Sequence, residues 1–174
     1  TRVHGRRQTP IQDIMDTNVI TPEGHAALKE ELDTLWRKER PEVTRLVQWA
    51  ASLGDRSENA DYQYNKKRLR EIDRRVRFLR NRLDKLRVVE YSPVQEGRAF
   101  FGAWVELVDE DDNTLRFRIV GPDEIYGRKD YVSVNAPIVR ACLGKVVGDE
   151  VVVRTPESEK SWEITDICYQ PEGR

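Results

Sequence analysis

The chain of 174 residues is poor in the residues that build metal centres and covalent cross-links, with two cysteines, two histidines and one methionine. Cys142 and Cys168 stand among apolar neighbours, so we expect both to be buried free thiols rather than a disulfide pair. His4 and His25 are the only histidines, so we do not expect a zinc site.

Long apolar runs are also missing. No stretch is long enough to cross a membrane, and the first residues lack the apolar core of a secretory signal. The sequence therefore predicts a cytoplasmic protein without a membrane partner, and we expect it to be a monomer.

Charge is abundant, and its two signs are separated along the sequence. Residues 66–88 carry eleven basic and three acidic side chains, whereas residues 89–174 carry ten basic and seventeen acidic ones. The first segment therefore favours a polyanionic partner, and the second does not.

The N-terminal half contains a leader and a helical pattern. Residues 1–18 show no periodicity and are predicted to be a flexible leader, and residues 19–90 are predicted to form a coiled-coil hairpin. Thr21, Pro22 and Glu23 have the order of an N-cap, a first helical position and a first-turn acid. A seam then recurs in steps of three and four, broken at Glu39 and with a local bend expected at Pro41; its positions are Leu32, Trp36, Glu39, Val43, Leu46, Ala50 and Leu53.

A second helix is predicted from Ser57 to Val88. Gly54 is the expected left-handed end of the first helix, and the short connection forces antiparallel packing of the two helices. The seam of the second helix repeats without a break; it consists of Leu69, Ile72, Val76, Leu79, Leu83 and Leu86.

Short strand patterns replace the helical ones in residues 91–174. The predicted strands lie at 99–108, 114–120, 131–134, 150–154 and 161–169, with a short helix over 137–143. This order is typical of an antiparallel β-sheet domain with one short helix. The fold class is therefore α+β, a coiled-coil hairpin followed by a sheet domain.

Asp55 and Glu58 stand at the predicted tip of the hairpin. Their spacing fits a capping-box variant, in which Asp55 caps the second helix and Glu58 reaches back. The positive end of a helix also keeps exposed carboxylates ionised, and a pair of ionised carboxylates suits Mg²⁺, which keeps most of its waters. Two ligands alone bind Mg²⁺ weakly, so a partner would have to complete the site. Capping and metal binding are compatible, since one carboxylate can cap the helix while the other binds the metal ion.

The second helix is strongly basic. Arg68, Arg75 and Arg82 are seven residues apart and form one line beside the seam. These residues could pair with acids of the first helix, but that helix has too few acids to neutralise them all. We expect the surplus to bind RNA phosphates without sequence preference; the predicted RNA-binding residues are Lys66, Lys67, Arg68, Arg70, Arg74, Arg75, Arg77 and Arg82.

Two further residues near the tip have open roles. Asn59 could hydrogen-bond to RNA or to a protein partner, or it could serve the local structure of the tip. Tyr62 falls near the seam, where packing is the default role, although an aromatic ring at this place could also stack on a base.

The tip residues and the first basic residues of the second helix lie in longer sequence motifs. On these motifs, the chain from about residue 19 to residue 169 resembles the bacterial transcript cleavage factors of the GreA/GreB family. The extended basic patch is similar to that of the GreB-like members. Ala136 departs from the usual Ser-Pro start of the short helix, which weakens its cap by about 1 kcal/mol. The motifs that carry the resemblance are 49–62, 66–68, 101–106, 118–121 and 127–131.

The resemblance implies a specific activity. Family members bind RNA polymerase, extend the hairpin through its secondary channel, and stimulate cleavage of backtracked nascent RNA, so that arrested complexes restart. Asp55 and Glu58 would help to hold a second Mg²⁺ and to orient the water, while the polymerase holds the first metal ion. Residues 91–174 would form an FKBP-like domain that docks at the channel entrance, and the chain would activate the polymerase rather than act as an enzyme itself.

Other interpretations remain open. A silent channel binder would inhibit the polymerase, although Asp55 and Glu58 argue against it. A prolyl isomerase or chaperone would need an open, aromatic-lined pocket in residues 98–169, and a plain coiled-coil scaffold would need no acids at the tip.

Overall fold

The computed structural model describes residues 18–169. Within them the chain divides into two compact units, one made of residues 18–24 and 87–169 and the other of His25–Leu86. Strand β1 (Val19–Ile20) pairs in parallel with β2 (Arg87–Val88), and this pairing assigns residues at both ends of the predicted hairpin segment to the sheet unit. The predicted leader lies outside the described residues, except for residue 18.

The first helical segment consists of two α-helices joined by a π-helical turn. Helix α1 spans Pro22–Thr34 and is capped as predicted, because Thr21 Oγ1 accepts a hydrogen bond from Gly24 N at 3.1 Å. The π turn covers Leu35–Glu39, and α2 spans Arg40–Ala51. Pro41 cannot donate a backbone hydrogen bond, and the turn before it is wider, with Arg40 N bonded to Leu35 O. The sequence predicted a local bend at Pro41, and the structure has a π-helical turn just before this residue.

The π turn shifts the buried face of the first segment. Its core contains Val43, with Leu32, Leu35 and Val47 packed against it. Leu35 and Val43 are eight positions apart instead of the seven of a regular heptad, because a π turn inserts one extra residue. The predicted seam was therefore wrong at Trp36, which is 44% exposed.

Helix α3 spans Ala60–Lys85. The predicted seam is confirmed at Ile72, Val76 and Leu79, which are all buried. Tyr62 and Asn65 are buried as well and extend the seam toward the start of the helix. The helix begins at Ala60 rather than at Ser57, for the reason given below.

The sheet unit contains five further strands and one helix. The strands are β3 (Trp104–Asp109), β4 (Thr114–Val120), β5 (Tyr131–Ser133), β6 (Glu150–Arg154) and β7 (Glu159–Cys168), and helix α4 spans Pro137–Cys142. They form one sheet with the order β5-β4-β3-β7-β6. Most neighbouring strands are antiparallel as predicted, but β4 and β5 are parallel, with Arg118 opposite Tyr131; the prediction of an antiparallel sheet was wrong for this pair.

One of the two cysteines, Cys142, lies in the hydrophobic core of the sheet unit. Val139 and Cys142 of α4 are buried against Phe117, Ile119 and Ile164 of the sheet. Burial raises the pKa of the Cys142 thiol to about 12. Both cysteines are free, as the sequence predicted, but the predicted burial was wrong for Cys168, which is only half-buried. None of the helices within residues 18–169 is both long and apolar enough to cross a membrane.

Candidate functional site

The tip of the hairpin is the connection between α2 and α3, residues 52–59. Helix α2 has already ended at Ala51, and Gly54 then adopts a φ of +139°. Side chains disfavour this conformation, so glycine is required here. Gly54 is therefore part of the tip turn and not the left-handed helix cap that the sequence predicted.

Asn59 sets the start of α3. Its Oδ1 accepts a hydrogen bond from Tyr62 N at 3.1 Å, which makes Asn59 the N-cap. Its Nδ2 donates to Ala50 O at 2.5 Å, so that one side chain joins the end of α2 to the beginning of α3. The structural role that the sequence offered as one option for Asn59 is confirmed.

Asp55 is held in a short turn of its own. Ser57 N and Ser57 Oγ both donate to Asp55 Oδ1, at 2.9 Å and 2.8 Å. These bonds, the backbone one first, lower the pKa of the exposed Asp55 carboxyl below its ordinary value. The group is therefore ionised at neutral pH, and both bonds fall on a single oxygen, which leaves Oδ2 without a hydrogen bond from residues 18–169.

Glu58 is exposed. Within the described residues it forms no hydrogen bond or ion pair. The predicted capping box was wrong, because Asn59 caps α3 and neither acid does. Both acids are thus left available to a partner.

Asp55 and Glu58 do not make up a metal site by themselves. Among residues 18–169, no cluster of three or more His, Cys, Asp or Glu side chains is placed to hold a metal ion. Two exposed carboxylates supply only part of an octahedral shell, which agrees with the way Mg²⁺ binds through one or two carboxylates together with waters and phosphates. The donor chemistry of Asp55 and Glu58 therefore fits a Mg²⁺ ion whose remaining ligands come from elsewhere.

Tyr62 is 7% exposed, which confirms its predicted packing role. Two cations lie near its ring, Arg56 at 5.6 Å and Lys66 at 5.3 Å from the centroid. Lys66 Nζ also donates to the Tyr62 hydroxyl at 3.1 Å, and this bond is the main cause of a lowered Tyr62 pKa. A contact between Tyr62 and RNA stays a prediction.

The basic side chains of α3 are distributed over two flanks of the seam. Positions 68, 75 and 82 share one heptad position, and positions 66, 73 and 80 share the corresponding position on the other side. On the first flank Arg75 forms a two-bond ion pair with Glu31, at 2.7 Å and 3.0 Å. Pairing with the first helical segment, the alternative to RNA contact, is therefore confirmed for Arg75.

The opposite flank holds a cluster that sequence reasoning missed. The Arg80 guanidinium lies 4.5 Å from the centroid of the Trp36 ring, and that of Arg40 lies 5.2 Å from it. Asp73, the acid of this flank, is paired with Arg40 at 2.7 Å. Only the phase shift at the π turn brings Trp36 to the surface, and Pro41 was the one sequence signal for it. The predicted cations that are exposed and form no ion pair within residues 18–169 are Lys66, Lys67, Arg70, Arg74 and Arg77.

Comparison with known proteins identifies the class to which this hairpin and sheet belong. Residues 18–88 match the sequence model described as transcription elongation factor, N-terminal. Residues 94–169 match the model described as transcription elongation factor, GreA/GreB, C-terminal. The two matches divide the chain near β2, so both parts of a bacterial transcription elongation factor are present.

Individual relatives define the family. A protein named transcription elongation factor GreB from Pseudomonas syringae pv. tomato is 65% identical over 156 residues, which is 90% of this chain and 99% of that protein. Another of that name from Vibrio parahaemolyticus is 57% identical over 160 residues, 91% of this chain and 98% of that protein. The chain belongs to the GreA/GreB family.

Solved structures were also compared. The GreA/GreB elongation factor from Nitrosomonas europaea is 16% identical, with a TM-score of 0.40 over 87% of this chain and 97% of that one. Gfh1 from Thermus aquaticus is 24% identical, with a TM-score of 0.39 over 86% of this chain and 96% of that one.

Proposed function

We propose that this elongation factor inserts its hairpin into the secondary channel of RNA polymerase and stimulates hydrolysis of backtracked RNA by the polymerase. The observation that carries the proposal is the tip turn, in which Asp55 and Glu58 are exposed, while Asn59 fixes the turn to both helices. A tip of this kind presents acids to a partner without using them for its own folding.

The chemistry of the tip supports an incomplete site that the polymerase completes. Asp55 Oδ2 and both oxygens of Glu58 are available as ligands, and Ser57 orients the Asp55 carboxylate through Oδ1. Mg²⁺ bound at such a place lowers the pKa of a water molecule and offsets charge at a reacting phosphate. The role of the two acids is to hold and orient, and the polymerase aspartates would supply the other ligands.

The basic surface of α3 supports contact with RNA. The helix is about 39 Å long, and Lys66, Lys67, Arg70, Arg74 and Arg77 are exposed along it. Exposed cations along a rigid rod would follow an extruded RNA strand through its phosphates, without reading its sequence.

The sheet unit would serve as the part that docks on the polymerase. An isomerase would need an open aromatic pocket. One cavity of about 310 Å³ in this unit is lined mainly by acids such as Asp109 and Glu163. A smaller cavity of about 160 Å³ has three aromatic residues in its lining, Tyr91, Phe101 and Tyr169. The docking role is therefore proposed from membership of the GreA/GreB family and not from the absence of a pocket.

The test is RNA cleavage in a stalled, backtracked elongation complex. Asp55→Asn is the informative change, because Asn Oδ1 can still accept both bonds from Ser57, whereas the negative charge is lost. We expect cleavage to fall by roughly a hundredfold or more, the scale measured when one group that stabilises a transition state is removed, with affinity for the polymerase nearly unchanged. Asp84→Asn, which removes an exposed acid from the other end of α3, is the matched control and should cleave normally. Cleavage by Asp55→Asn at the wild-type rate would reject the proposal.

A further inference from the structure

The two flanks of α3 differ in how their cations are used. On the flank of Arg68, Arg75 and Arg82, the middle cation is neutralised by its two-bond pair with Glu31. On the other flank, Lys66 donates to a tyrosine hydroxyl and Arg80 lies against the Trp36 ring. Neither cation of that second flank is neutralised by an acid among residues 18–169.

Two more cations widen the second flank. Arg70 and Arg77 are seven residues apart, lie just outside the line of positions 66 and 80, and are exposed. Within the described part of the chain, neither forms an ion pair. The acid of the flank, Asp73, is already paired with Arg40. We call the set Lys66, Arg70, Arg77, Arg80 and Trp36 the Trp36 flank.

Aromatic rings stand at both ends of the Trp36 flank. Tyr62, next to the tip, has Arg56 and Lys66 near its ring, and Trp36 has Arg40 and Arg80 near its ring. Tyr62 is almost fully buried, whereas Trp36 is 44% exposed, at the π turn. An exposed indole among cations has the composition of a single-strand binding surface, where bases stack on aromatic rings and cations follow the phosphates.

We propose that single-stranded RNA follows the Trp36 flank from the tip and that a base stacks on Trp36. This inference rests on the proposed function, which brings an extruded RNA strand to the tip, and it names the surface along which the strand continues. From Tyr62 to Arg80 the path is about 27 Å long. Trp36 is therefore reached only by a strand that extends well beyond the tip.

The opposite flank also has an exposed aromatic residue, Phe78, on which a base could stack instead of on Trp36. Phe78 is 49% exposed and lies 5.2 Å from the Arg75 guanidinium. Arg75, however, is held by Glu31 at 2.7 Å, so a phosphate at that place would have to displace a carboxylate. A phosphate that binds Arg77 or Arg80 on the Trp36 flank would displace no carboxylate of residues 18–169.

The first experiment measures binding of labelled oligouridylate RNA to the full chain, by fluorescence anisotropy over a range of salt concentrations. Arg77→Gln with Arg80→Gln should flatten the slope of log affinity against log salt by about 1.4, since each lost phosphate contact on a single strand accounts for about 0.7. Arg75→Gln with Arg82→Gln should change the slope less. An equal or larger change for the second pair would overturn the choice of flank.

Trp36→Leu tests the stacking contact. Affinity should fall at least about fivefold, the lower range for a base that loses its aromatic partner, and Trp36→Phe should retain most of the binding. Trp49→Leu is the matched control, because Trp49 is 53% exposed on α2 and none of the cation–ring contacts of the described residues involves it. Equal losses for Trp36→Leu and Trp49→Leu would overturn the inference, as would RNA binding that does not change in Trp36→Leu.

The second experiment separates this inference from the proposed function. In complexes backtracked by a few nucleotides, Trp36→Leu should cleave at the wild-type rate, whereas in deeply backtracked complexes it should cleave more slowly. Asp55→Asn should fail on both, so each result judges its own proposal. If Trp36→Leu instead weakened binding to polymerase without RNA and left oligouridylate binding intact, Trp36 would be a protein contact and the inference would be wrong.

Discussion

The Asn59 side chain donates from Nδ2 to the Ala50 carbonyl at 2.5 Å, across the turn that joins the two helices. Since Oδ1 of the same amide caps α3, the end of one helix and the start of the next are fixed by a single residue. The intervening tip residues, Asp55 and Glu58 among them, are thereby closed into one loop of defined span.

Asn59→Ala is therefore expected to destabilise the hairpin by about 1–3 kcal/mol, since it removes the cap of α3 and the side-chain bond to the Ala50 carbonyl, which still accepts from Leu53 N. Asn59→Ser keeps a capping oxygen and loses only the bond to Ala50, so it should cost less. Urea unfolding followed by circular dichroism measures both changes. If Asn59→Ala were as stable as the wild type, the two bonds would not hold the tip.

Ser57→Ala tests how the Asp55 carboxyl is kept ionised. The change removes the hydroxyl bond to Asp55 Oδ1 and leaves the backbone bond in place. We expect the Asp55 pKa to rise toward its ordinary value but to stay below it, because the backbone bond is the larger cause of the lowering. Carboxyl-carbon NMR titration measures the pKa, and Ser52→Ala, whose hydroxyl bonds to Trp49 O, should leave it unchanged. An unmoved pKa in Ser57→Ala would contradict the assignment.

The end of α2 at Ala51 predicts unequal costs for two apolar residues of the predicted seam, because Val43 lies within the helix and Leu53 lies beyond it. Val43 is 1% exposed and Leu53 is 58% exposed, although the heptad spacing gave both the same importance. Val43→Ala should lower the free energy of unfolding by about 1–3 kcal/mol, whereas Leu53→Ala should change it by less than about 0.5 kcal/mol. Chemical denaturation of the two variants decides this, and similar costs would mean that Leu53 belongs to the core.

Asp109 predicts a pH dependence for the sheet unit. Its carboxylate accepts hydrogen bonds from Lys160 at 2.8 Å and from the backbone of Asp111 and Asn113. These bonds, that of Lys160 first, hold the Asp109 pKa well below its ordinary range. Because the pKa is lower in the folded state, the stabilisation is complete above the unfolded-state pKa of about 3.9 and is lost as the pH falls below it.

The measurement is the thermal unfolding midpoint of the wild type and of Asp109→Asn between neutral and acidic pH. The wild type should be the more stable protein at neutral pH, and the gap should narrow below about pH 4. A gap that stayed constant across the range would show that the charge of Asp109 contributes nothing.

Sequence periodicity predicted the elements whose registers are set locally. The strand over Thr114–Val120 was predicted with the bounds that β4 has, and Glu150–Arg154 with those of β6. Each of these strands is a short apolar pattern between turns and pairs with a strand that is near in sequence or strongly apolar. The pairing of β1 with β2 could not be predicted in the same way, because two-residue strands have no periodicity.

The start of α3 and the surface role of Trp36 needed contacts that sequence spacing does not reveal. Asp55, Ser57 and Asn59 are all good caps, and a hydrogen bond to Ala50, distant along the chain, selects Asn59. Pro41 indicated that the helix would be disturbed locally. The spacing did not show that the disturbance is a π-helical turn, whose one extra residue exposes Trp36. The tip acids, by contrast, were identified from their spacing and from the family resemblance.

In the proposed mechanism, Asp55 and Glu58 help to hold a Mg²⁺ ion that neither this chain nor the polymerase binds well alone. The most direct measurement is the Mg²⁺ concentration that gives half-maximal RNA cleavage in a backtracked complex, with and without the chain. The wild type should lower that concentration, and Glu58→Gln should return it toward the value of the polymerase alone. If Glu58→Gln and the wild type gave the same Mg²⁺ dependence, the acids would act in some other way and the account would be wrong.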